Sequence, residues 1–119
     1  MIELPPLFRL AKNVSKHSDY RIKMGAVLVR KGSPIAVGFN RANPRPGYKY
    51  GIHAEVDALR TSGKLELKNS TMYVYRQTAD GFPAMARPCP DCMNALTNFG
   101  VSTIIYTVPT YPYFNIEKI

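Results

Sequence analysis

The chain has only two cysteines and eight acidic residues among 119, and no apolar run near the roughly 20 residues that a membrane helix needs. Two cysteines cannot staple a disulfide scaffold, which points to a reducing, cytoplasmic setting and to another use for the thiols. The start, Met1-Ile2-Glu3-Leu4-Pro5-Pro6, lacks the basic residues and long apolar run of a secretory signal. Asn13-Val14-Ser15 and Asn69-Ser70-Thr71 are then chance matches to a glycosylation triplet. No internal repeat, low-complexity stretch or second domain is evident. A length within the common range of about 100 to 150, with 45% hydrophobic residues, reads as one domain over 1–119. The shortage of acid leaves 16 Lys+Arg against eight Asp+Glu, a net charge of +8 and a pI near 9.7. Such a surplus suits a nucleotide phosphate or a nucleic-acid strand, although charge alone also serves solubility.

What is present divides into short periodic segments. Leu7, Leu10, Ala11 and Val14 have the spacing of one helical face, predicting a helix over 7–16. Gly25 to Arg30 and Pro34 to Phe39 are β-rich runs separated by Lys31-Gly32-Ser33, the pattern of a hairpin. A Pro- and Gly-rich loop, 40–51, leads to a helix over 53–62. Ser70 to Arg76 reads as a third strand, Pro90 to Phe99 as a third helix stopped by Gly100, and Val101 to Thr107 as a fourth strand. The tail 109–119 could add a fifth strand or pack on the core or on a neighbour. This order implies an α/β domain, a mixed sheet of four to five strands layered with helices.

The chemistry concentrates in His53-Ala54-Glu55 and Pro88-Cys89-Pro90-Asp91-Cys92. An imidazole and two thiols are three good zinc ligands, and a catalytic zinc site keeps its fourth position open where a structural one closes it. Cys89 and Cys92 fall in the first turn of the third helix, where the helix dipole is expected to favour the thiolate. Glu55 begins the second helix, placed to meet the same reacting water without binding the metal. Two blander uses of the cysteines are a redox CxxC pair, which leaves His53-Ala54-Glu55 unexplained, and a closed structural zinc site with His17 as fourth ligand.

The pair H-x-E and P-C-x-x-C resembles the signature of zinc-dependent nucleobase deaminases, the cytidine/deoxycytidylate deaminase superfamily. That superfamily includes tRNA adenosine deaminases and APOBEC-like polynucleotide cytosine deaminases. The likeness extends over about Gly25 to Thr107 and implies the three-layer cytidine deaminase-like fold. It also implies Zn2+ on His53, Cys89 and Cys92, with Glu55 as the proton shuttle of a hydrolytic deamination. Further, it implies substrate contacts from Asn40 to the sugar and from Ala54 and the backbone near Pro88 to the base edge. Met24 to Ala26, Ala26 included, would line the pocket floor. The stretch Gln77 to Ala86, with its Asp80-Gly81 turn signal, is longer than in compact members of that superfamily.

The expected substrate is a free cytosine nucleoside or nucleotide (cytidine, deoxycytidine or dCMP), because the chain lacks the extra C-terminal helices usual in polynucleotide deaminases. Single-stranded DNA or RNA is the alternative partner. Arg41, Arg45 and Lys49 interleave with Tyr48 and Tyr50, and Arg76 and Arg87 flank the segment before the cysteines. A purine base is a further option. A non-catalytic, zinc-stabilised nucleic-acid-binding module is the reading from another class. It has no physical need for Glu55, and its binding would weaken steeply with salt. Family habit and exposed-looking tyrosines imply a homo-oligomer.

Overall fold

The computed structural model describes residues 2–43, 51–63 and 67–119. Five strands, β1 (Met24–Arg30), β2 (Ser33–Phe39), β3 (Ser70–Arg76), β4 (Val101–Thr107) and β5 (Phe114–Lys118), form one sheet in the order β2-β1-β3-β4-β5. All neighbours are antiparallel except β3 and β4, which run parallel. A parallel pair needs a crossover, and α3 (Pro90–Asn98) lies within it. The β1–β2 turn places Lys31 and Gly32 at φ 53° and 78°, the two left-handed residues that match a tight hairpin to strand twist.

Side chains alternate across the sheet. Ala26, Leu28, Met72, Val74, Ile104 and Tyr106 belong to a core beneath α2 (Ala54–Ser62) and α3. Val27, Val29, Tyr73, Tyr75 and Ile105 belong to a second core beneath α1 (Leu7–Ser15). Three layers result, as expected, with both faces of the central strands covered, which is why β1 reads as an unbroken apolar run. Burying a side chain such as Leu28 or Ile104, neither of which retains solvent exposure, contributes about 1.5–3 kcal/mol.

Two glycines fix how close the helices come. A Cβ on Gly25 would lie 1.9 Å from the Ala11 carbonyl oxygen, and one on Gly38 would lie 2.4 Å from both the Ala54 oxygen and the Ala58 nitrogen. The start of α2 therefore rests directly on the backbone of β2. On α1 the largest buried side chain is Phe8, seated edge-on against Tyr73, while Leu7 and Leu10 pack at the rim. The tail supplies a fifth strand, and Asp80-Gly81 does form a turn, with Gln77 bridged to Pro83 and Gly81 at φ 83°. Among the described residues no helix is long and apolar enough to cross a membrane.

Candidate metal centre

Both segments that carry the candidate ligands begin helices. His53 is the N-cap of α2 in extended conformation (φ −71°, ψ 151°), and Cys89 is the N-cap of α3 (φ −68°, ψ 166°) with Pro90 at the first helical position. An N-cap residue usually satisfies a free helical N–H with its side chain. Neither His53 nor Cys89 does so, and their imidazole and thiol turn instead to each other. Cys92, almost one turn into α3, completes the group: His53 Nδ1 lies 3.1 Å from the Cys92 Sγ and 3.9 Å from the Cys89 Sγ. All three donor atoms lie within 4.8 Å of one another. Tetrahedral zinc with bonds of about 2.3 Å to sulfur and about 2.0–2.1 Å to nitrogen would separate such an N and S by about 3.5 Å. The two observed distances bracket that value, and a soft S, S, N donor set fits zinc.

Glu55 lies beside the cluster. It is 3% exposed, and its Oε1 has no hydrogen-bond partner among the described residues. Burial pushes its carboxyl above the ordinary value, against smaller opposing effects of its own backbone amide and of His53. A buried carboxylate oxygen without a donor is costly, so a group placed there to meet it is chemically implied. The Cys92 thiol is also pushed up, first by burial and then by the Glu55 charge. The thiolate is made when a metal displaces the proton.

The remaining expected site residues fall out differently. His17 follows α1 and packs against the Phe39 ring at 5.7 Å, outside the donor cluster, so a closed site with His17 as fourth ligand is not built. The Asn40 amide clamps backbone: its Oδ1 accepts the Met24 N–H at 2.8 Å and its Nδ2 donates to the Ile22 carbonyl at 2.7 Å. Ala54 and Ala26 are buried in the α2/α3 core, and Pro88 is buried before Cys89. A cavity of about 200 Å³ opens at the cluster, where His53 and Cys92 meet Val56, Arg60 and Asp91; Asn40, Ala54, Ala26 and Pro88 do not line it. A larger cavity of about 680 Å³ lies on the α1 side, lined by Phe8, Arg9, Lys12 and Tyr75 among others, with no residue of the cluster.

The cations expected to track a nucleic-acid strand are partly committed elsewhere. Arg41 donates to Asp57 Oδ1 at 2.6 Å, and Arg87 donates to Glu117 at 2.9 Å. Arg76 reaches the Met85 carbonyl at 3.3 Å. Arg45, Lys49, Tyr48 and Tyr50 lie outside the described residues. Sequence reasoning missed Asp57, a buried carboxylate on the same inward stripe as Ala54 and Ala58. A polar residue in an apolar i, i+3, i+4 pattern was the available signal.

A family model, the cytidine and deoxycytidylate deaminase zinc-binding region, matches residues 3–108. No curated protein matches the sequence significantly. Among solved structures, dCMP deaminase from the cyanophage S-TIM5 is similar at 24% identity over 92% of this chain and 89% of that one, with a TM-score of 0.67. Cytidine deaminase from Burkholderia pseudomallei is similar at 21% identity over 94% and 89%, TM-score 0.68. A diaminohydroxyphosphoribosylaminopyrimidine deaminase/5-amino-6-(5-phosphoribosylamino)uracil reductase from Thermotoga maritima is similar at 22% identity over 92% of this chain but 31% of that one, TM-score 0.58. These likenesses share one fold and differ in substrate. With the family model spanning nearly the whole sequence and the donor cluster within it, the chain belongs to the zinc-dependent cytidine and deoxycytidylate deaminases.

Proposed function

We propose that this hydrolase deaminates a free cytosine nucleoside or nucleotide (cytidine, deoxycytidine or dCMP) to its uracil form, releasing ammonia. His53, Cys89 and Cys92 hold the zinc, and Glu55 moves the protons. The observation that carries the reading is the buried Glu55 carboxylate, with one oxygen free of partners, beside three converging metal donors.

Zinc, when bound, supplies a water activated at neutral pH. Glu55 would accept the two protons of the attacking water in turn, passing the first to N3 as the oxygen bonds to C4 and the second to the amine as its bond to C4 breaks, one carboxylate serving as base and then as acid. Its burial keeps bulk water away from the proton being moved. Asn40, with one amide hydrogen and one lone pair beyond its two backbone bonds, offers them to a sugar hydroxyl. The backbone at Ala54 and Pro88 meets the base edge, and Ala26, buried beneath, sets the depth of the floor. Assembly as a homo-oligomer belongs to the same reading and is supported by the exposed apolar side chains of Phe99, Tyr111 and Ile116. The free substrate is favoured over a strand because Arg41 and Arg87 are already paired with Asp57 and Glu117.

The test is a mass-spectrometric deamination assay of the zinc-loaded protein offered cytidine, deoxycytidine, their monophosphates and a cytosine-containing single-stranded oligonucleotide together. Conversion confined to the small molecules is expected. Conversion of the oligonucleotide in their place would overturn the substrate assignment.

A further inference from the structure

We propose that Asp57 and Arg41 form a clamp that positions the start of α2, and with it His53 and Glu55, for the reaction; the inference rests on the function proposed above. Helix α2 has nine residues, too few to be stable alone, and no proline stands at its start. Its orientation must be imposed from outside.

Asp57 is 4% exposed and uses both carboxylate oxygens: Oδ1 accepts from the Arg41 guanidinium at 2.6 Å, and Oδ2 accepts the N–H of Phe39, the last residue of the edge strand β2, at 3.1 Å. Arg41 in turn holds the residue that precedes His53. Its backbone N–H donates to the Ile52 carbonyl at 3.1 Å, and the Ile52 N–H donates back at 2.7 Å. The Arg41 guanidinium also lies over the Phe39 ring, 5.6 Å from its centre. Finally the Asp57 N–H donates to the His53 carbonyl at 2.9 Å. The contacts close a ring through Asp57, Arg41, Ile52 and His53, with Glu55 inside the same helical turn. Removing either charge opens the ring and frees the His53 backbone to shift relative to Cys89 and Cys92. Reaction geometry is sensitive to such shifts, since a misplacement of about 1 Å can lower turnover by about a hundredfold. Asp57 and Arg41 are therefore positioning residues, acting through His53 and Glu55.

The experiment compares the zinc enzyme with D57N, R41A and the double variant. D57N keeps an acceptor for the Phe39 N–H while losing the ion pair. Steady-state kcat and KM, the melting temperature, and the visible spectrum of the cobalt(II)-substituted protein are measured for each. The expected result is kcat lower by about ten- to a hundredfold with KM within about threefold. The cobalt ligand-field bands should shift, and the double variant should be no worse than the worse single one. Wild-type kcat and an unchanged cobalt spectrum in both single variants would overturn the clamp. So would losses that multiply in the double variant, a loss in KM alone, or a kcat loss that only tracks the unfolded fraction. If the unmodified enzyme converts no cytosine compound, the proposed function fails, and the cobalt spectra still decide the clamp.

Discussion

The starts of α2 and α3 face each other across the metal donors, and they are held by different means. The start of α3 carries its own rigidity. Pro88 and Pro90 flank Cys89, and Pro90 at the first helical position has its φ preset and gives up no needed N–H. The start of α2 borrows its rigidity from the Gly38 backbone beneath it and from Asp57 and Arg41 beside it. A local device survives local change, whereas a tertiary one fails when any distant member is altered. In the function proposed above, the same contrast divides the chemistry: α3 contributes two of the candidate ligands, α2 one and the carboxylate assigned to proton transfer.

The largest expected effect is on the chemistry itself. Glu55→Gln should lower kcat by about 10²- to 10⁴-fold while the zinc content stays at that of the unmodified protein. Metal analysis and steady-state kinetics on the same preparation check this, and activity within tenfold of the original would remove Glu55 from its role. Next comes the support under α2. Gly38→Ala drives a methyl into the Ala54 carbonyl and the Ala58 amide, so it should destabilise the fold by about 1–3 kcal/mol and lower kcat as well. Denaturant melts and kinetics read the two effects separately; an intact kcat would show that the seat of α2 does not matter to the site. On the other helix, Pro90→Ala should cost only about 0.4–1 kcal/mol, chiefly through the freer unfolded chain, with turnover nearly unchanged. A kcat loss there as large as that of Gly38→Ala would erase the contrast between the two starts.

The smallest effect concerns the far anchor of the α3 approach. Hydrogen bonding to Arg87 holds the Glu117 carboxyl below its ordinary value. Since the folded pKa is depressed, this stabilisation is complete above the ordinary carboxylate pKa and is lost as pH falls through the folded one. Glu117→Gln should therefore lower the melting temperature slightly at neutral pH, the pair being exposed, and leave it unchanged in acid, which flattens the acid side of the profile. A drop in acid equal to that at neutral pH would show a role in packing.

Much of this was legible in the sequence wherever the cause was local. Strands β1 to β4 and all three helices stand where their periodicity puts them, and Lys31-Gly32 and Asp80-Gly81 turn as their conformational preferences dictate. The donor trio was legible because cysteine and histidine are scarce and their spacing is restrictive. The contacts of Asp57 were not, since nothing in His53-Ala54-Glu55-Val56-Asp57 says that Arg41 will wrap the edge of β2 to meet it. Strand β5 was ambiguous for a similar reason: its pairing depends on the Val108 to Tyr113 turn, closed by the Val108 N–H donating to the Tyr113 carbonyl.

The most direct measurement is X-ray absorption at the zinc edge of the stoichiometrically loaded protein. Two sulfurs at about 2.3 Å, one imidazole nitrogen at about 2.0–2.1 Å and one exchangeable oxygen are the expected first shell. Four protein ligands, or a shell without the imidazole, would contradict an open catalytic site built from His53, Cys89 and Cys92.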